Sequence, residues 1–156
     1  MTDQPSEDQI QQWTRRFASQ SNNRAWELVE AASRTDAETD EMLHAAHASA
    51  RLWSTIGTEL HAARAQLLLA IAHGLAGNGG LAQRYARAAA SYFATHECPD
   101  WEAAFVEAAL AAAAHAAGDR AAHAGHHAEA ARRGAAIADV EDREIFMRSF
   151  ERIPSP

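Results

Sequence analysis

Apolar residues recur along this chain at spacings of three and four, the period of one face of an α-helix. Ile10, Trp13 and Phe17 form the first such stripe, behind Ser6 as an N-terminal cap. Asn22-Asn23 reads as a break before a second helix holding Trp26, Leu28 and Val29. Asp36 or Thr39 caps a third, which runs through Leu43, Ala46, Ala50 and Trp53 to Gly57. Thr58 opens a fourth that stops at Gly77-Asn78-Gly79-Gly80. A fifth extends from Leu81 to Phe93, and Asp100 caps a sixth beginning at Trp101. Gly118-Asp119 ends that helix and starts a seventh; Asp139 or Asp142 starts a short eighth with Ile145, Phe146 and Phe150. No stretch carries a convincing strand pattern. The pattern predicts an all-α protein of seven or eight helices, in one domain over 1–156, with short flexible ends near 1–6 and 152–156.

Composition sharpens this picture. Forty of the 156 residues are alanine, while Leu, Ile, Val and Phe together number 24. Alanine has the highest helix propensity and adds only a methyl to a core. The helices must therefore pack with their axes close together.

Two segments repeat with an offset of 41. Leu69-Ala70, Ala72 and Ala76-Gly77-Asn78 return as Leu110-Ala111, Ala113 and Ala117-Gly118-Asp119, and Ala89-Ala90 as Ala130-Ala131. Each unit reads as an antiparallel helical hairpin burying its face on the next. The small-x-x-x-Leu-Ala run, the Gly-Asn or Gly-Asp turn and the alanine-rich second helix resemble tetratricopeptide repeats over residues 58 to 138. The period of 41 departs from the 34 usual for that family. Trp53 to Gly57 and Pro99 to Phe105 also look like segments of uncharacterised bacterial proteins of this type. The resemblance implies stacked hairpins in a right-handed superhelix whose first helices line a concave groove, and it implies no reaction.

Several chemistries are excluded. The chain has no lysine, all 14 basic residues being arginine, which rules out Schiff-base enzymes and the P-loop lysine. A net charge of −7 argues against nucleic acid binding. Cys98 is the single cysteine, and the acidic start Met1–Asp8 has no apolar core. No stretch suits a membrane span, and the expected location is the cytoplasm.

Charged residues on apolar helices mark the candidate site. The fourth helix is apolar on two sides, so Arg64, Gln66 and His73 sit on a sandwiched element. Glu107 stands nearly alone in the middle of the sixth. Burying a charge is costly unless it is paired. Arg64 and Glu107 therefore meet each other, meet a ligand, or line a wet groove, with Trp53 and Trp101 as core or as walls. Trp13 and Trp26 read as core, and His47 as a satisfied core histidine. The leading expectation is a non-catalytic binding or scaffold protein that takes a peptide, a protein partner or a small ligand in its concave groove.

The alternative is a histidine-rich metal-binding protein or metalloenzyme. Asp119, His123 and His126 share one helical face, opposite the stripe Ala121, Ala124, Ala128, Ala131 and Ala135, and could hold zinc or iron. The plainer reading is a solvated polar face. Glu41 and His44 have a Glu-x-x-His spacing without the second copy that a dimetal site needs. Gly125 and Gly134 interrupt the seventh helix and suggest close backbone approach to a neighbour. A homodimer through an alanine-rich face is compatible with either reading.

Overall fold

The computed structural model describes residues 4–156 and contains seven α-helices, with no strand among the described residues. They are α1 (Glu7–Glu30), α2 (Asp36–Ile56), α3 (Glu59–Leu75), α4 (Gly79–Thr95), α5 (Asp100–Ala116), α6 (Arg120–Ala135) and α7 (Val140–Phe150). Residues 1–3 of the N-terminal end expected to be flexible lie outside the described residues.

Local chemistry sets the helix ends. Ser6 and Gln9 form a capping box, each side chain accepting the other's backbone N–H at 3.2 and 2.9 Å. Thr35 and Glu38 repeat the device at α2, so the cap is Thr35 rather than Asp36 or Thr39. The expected break at Asn22-Asn23 is absent: α1 runs through it without interruption. Asparagine is a poor helix former but no breaker, and two cost little in a helix of 24 residues. The helix stops instead where Arg34 donates to the carbonyls of Leu28 and Val29.

The 41-residue repeat is visible in atomic detail. α3 and α5 begin at Glu59 and Asp100, and α4 and α6 at Gly79 and Arg120. Both hairpins turn through a glycine with positive φ, 78° at Gly77 and 75° at Gly118. The bonds around them match: Asn78 N–H to His73 C=O and Gly77 N–H to Gly74 C=O, then Asp119 to Ala114 and Gly118 to His115. These are paired Schellman motifs.

Consecutive helices pack as antiparallel hairpins, and the odd-numbered helices also touch one another: α1 on α3, α3 on α5, α5 on α7, and α7 back on α1. α3 and α5 are central and buried nearly all round. Small residues bring the backbones together. A Cβ added at Gly74 would meet Ala112 at 2.8 Å, and one at Gly79 the Ala116 carbonyl at 2.7 Å. The bulk that alanine lacks comes from a few side chains, chiefly Met42, Leu68, Ile71, Phe105 and Phe146, within one continuous core.

Two expectations about faces are corrected. Trp13 is 52% exposed rather than core, and it stacks on the exposed Phe17 at 5.8 Å. The stripe Ala121, Ala124, Ala128, Ala131 and Ala135 faces outward, while His123, Ala130 and Gly134 on the other side are buried. Five methyls offer little area, whereas the inward side packs the ring of Phe146 directly on Gly134. Gly134 thus marks the anticipated close contact; Gly125 has open space beside it. At the C-terminus the chain is anchored, with Ile153 buried and the Pro154 carbonyl bonded to His123.

Candidate functional site

The four odd-numbered helices line a half-open cavity of about 420 Å³. α1 presents Asn22, Trp26 and Glu30 to it, spaced four apart on one face, and α3 presents Arg64 and Leu67. α5 contributes Trp101 and Phe105, again four apart. α7 closes the far side with Asp142, Ile145, Arg148 and Ser149. The aromatic wall is continuous: Phe105 meets Trp26 edge-on at 5.3 Å, Trp101 at 6.2 Å and Phe146 at 5.1 Å.

Charge in the cavity is arranged in pairs. Arg64 donates through Nε to Glu102 Oε1 at 2.5 Å, and its guanidinium lies 5.3 Å from the Trp101 ring centre. The Glu102 side chain is only 1% exposed, whereas that of Arg64 is 44% exposed. Glu102 is thus a buried carboxylate held by an arginine at the cavity wall. Opposite, Arg148 Nε contacts Glu30 Oε2 and Ser149 Oγ donates to Glu30 Oε1, both at 3.3 Å. Asp142 differs. Its backbone N–H donates to the Asp139 cap, but its carboxylate has no hydrogen-bond or ion-pair partner among the described residues.

The other residues singled out in the sequence lie elsewhere. Glu107 does not meet Arg64; it accepts from His126 Nδ1 at 2.8 Å on another face of α5. Five residues separate Glu102 from Glu107, a rotation of roughly 140° about the helix. Trp53 stacks on His61 at 4.3 Å with Arg15 over it, and is not a cavity wall. Gln66 is half-buried and does not line the cavity. His73 is buried on the side of α3 facing α2 and α4, where its Nε2 lies 2.9 Å from His47 Nε2. The Asn78 amide nitrogen donates to His73 Nδ1 at 3.2 Å, so the His73 proton resides on Nε2 and His47 accepts it. Tyr85 stacks on His73 at 5.6 Å. Burial is the first cause holding both imidazoles below the usual histidine range; the next is Arg84 for His47, and His47 followed by Arg84 for His73. His47 is therefore satisfied as expected, but at an exposed edge rather than in the core.

The expected metal ligands do not converge. Asp119 folds back to cap α6, accepting the Ala122 N–H at 3.0 Å. His123 is buried and donates through Nε2 to the Pro154 carbonyl at 2.8 Å, and His126 turns to Glu107. Each has a separate partner, so the helical face they share is not a shared site. No group of three or more His, Cys, Asp or Glu among the described residues is placed to hold a metal ion. Glu41 is taken by Arg24 at 2.7 and 3.0 Å, leaving His44 exposed. Burial, with Glu102 nearby, raises the Cys98 thiol, while His96 bonds the Tyr92 carbonyl instead of activating it.

The polar cavity residues Asn22, Glu30, Asp142, Arg148 and Ser149 escaped sequence reasoning, as did Glu102, the partner of Arg64 behind the wall. A signal for Glu102 existed. The 41-residue offset sets Arg64 level with Phe105, and Glu102 lies one turn before Phe105, whereas Glu107 lies two residues past it on another face.

No protein-family model matches the chain, and neither a curated protein nor a solved structure matches it significantly. Among the described residues no helix is long and apolar enough to cross a membrane.

Proposed function

We propose that this chain is a non-catalytic binding protein of the cytoplasm. Its hairpins stack as a right-handed superhelix like that of tetratricopeptide repeats, and the odd-numbered helices form the concave side. The observation that carries the reading is the cavity of about 420 Å³, bounded by all four of those helices and walled by Trp26, Trp101 and Phe105. That volume suits a small organic molecule. Because α7 also touches α1, the cavity is bordered by helices on four sides instead of running on as a groove, with a mouth open to solvent. This favours a compact ligand over an extended peptide or a protein surface.

The test uses a neutral, environment-sensitive naphthalene dye. Saturable binding of one dye per chain is expected. Ile145→Trp, which adds bulk at an exposed position on the cavity rim, should weaken binding at least tenfold while far-UV circular dichroism is unchanged. Dye binding that survives Ile145→Trp but is lost in Phe17→Ser would place the dye on the exposed α1 stripe and refute the cavity reading.

A further inference from the structure

Resting on the reading of the cavity as a ligand site, we infer that its ligand is an organic cation: an amine or quaternary ammonium carrying a flat apolar body. The inference follows from which charges in the cavity are already satisfied. Both arginines are neutralised internally, Arg64 by Glu102 and Arg148 by Glu30. An incoming anion would have to compete with these two carboxylates for their guanidinium groups. It would also lie beside Asp142, whose charge nothing in the cavity balances.

Each arginine engages its carboxylate through Nε and keeps terminal N–H groups open, but its charge is balanced; the unbalanced charge is an acceptor's. Asp142 offers a half-buried carboxylate from the first turn of α7. Asn22 faces the cavity from α1, its amide nitrogen 3.4 Å from Asn23 Oδ1, which leaves its carbonyl oxygen free. A ligand with N–H groups and a positive charge satisfies both, and an anion satisfies neither. The walls point the same way. Aromatic faces attract cations, and Trp101 already carries the flat guanidinium of Arg64. The protein's net charge of −7 also favours the approach of a cation over that of an anion.

Three probes with one ring system separate charge from shape: 2-naphthylmethylamine, 2-naphthalenemethanol and 2-naphthoate, titrated calorimetrically at pH 7.5. The amine should bind at least tenfold more tightly than the carboxylate, and more tightly than the alcohol. Asp142→Asn should remove the amine's advantage over the alcohol while alcohol binding persists. Asp142→Lys provides a second variant, in which the order of amine and carboxylate should reverse. An amine that binds no better than the alcohol, or an advantage that survives Asp142→Asn, overturns the cation assignment and leaves the cavity reading standing. Failure of all three probes together with the neutral dye overturns the cavity reading, and the assignment falls with it.

Discussion

The Arg64–Glu102 pair makes a prediction whose size depends on which partner is removed. Glu102 is 1% exposed and Arg64 44%, so the two charges lose very different amounts of water on folding. Breaking a fully buried pair from one side costs about 3–5 kcal/mol, because the survivor is left charged in a poor solvent. Arg64→Met leaves that survivor as Glu102. Some water follows into the space vacated at the cavity wall, which places the expected loss near the lower bound, about 3 kcal/mol. Glu102→Met leaves Arg64, which is already half in water and keeps its place over Trp101, so a loss of about 1 kcal/mol is expected. The double variant has neither charge and two similar apolar side chains, and should return to within about 1 kcal/mol of the parent. Urea unfolding followed by circular dichroism measures all four species, and an unchanged slope with denaturant would confine the effect to stability. Equal losses in the two single variants would refute the reasoning. So would a double variant whose loss is the sum of the two, since the pair would then have no coupling.

Two further expectations concern the rest of the fold. His47, His73 and His127 all titrate below the ordinary histidine value, burial being the first cause in each. As pH falls through about 6.5 the unfolded chain takes up protons before the folded one, so stability is full near pH 7.5 and declines toward pH 5. The melting temperature should fall over that window, and His73→Gln should flatten the fall; a melting temperature that rises on acidification would contradict the assignment. The glycines of α6 should respond in opposite directions to the same change. Gly134→Ala forces a methyl into the Phe146 ring and should cost about 1–3 kcal/mol by overpacking, while Gly125→Ala meets open space and should gain about 0.5–1 kcal/mol. Thermal melts of the two variants that shift in the same direction would rule out this account of α6.

How much of this molecule could be read from its sequence depended on whether the relevant contact was local. Helix ends were legible because caps and Schellman turns are decided within a few residues: Ser6, Thr58, Gly77, Gly118 and Asp139 all stand at or beside boundaries. The two-sided burial of α3 was also legible, since a helix with apolar residues all round has no face left for water. Faces with one partner were not. Trp13 and the α6 alanine stripe both have the periodicity of a packed surface, but periodicity cannot say whether a neighbour exists. α1 meets no covering helix at Ile10, Trp13 and Phe17, and α6 turns its histidine side inward because α7 supplies Phe146 and Phe150 there.

The candidate site failed to be legible for a related reason, and the failure bears on how such cavities are built. Arg64 stood out because it is charged on an apolar helix, and Trp101 because it is large; both do line the cavity. The residues facing them were hidden because they come from α1 and α7, the first and last helices, which meet only when the intervening hairpins have stacked. Glu30 and Arg148 are 118 residues apart and lie on helices whose other faces are amphipathic, so each reads alone as an ordinary surface charge. The chemistry of the cavity is thus a property of closure. Residues on the two central helices supply a satisfied ion pair and aromatic walls, and the terminal helices add the charges that close it, Glu30, Arg148 and the unmatched Asp142. A lone carboxylate on a short terminal helix costs folding little while it stays hydrated. It becomes selective only when a ligand displaces that water, which is why discrimination between amine and carboxylate, rather than stability, is where Asp142 should register.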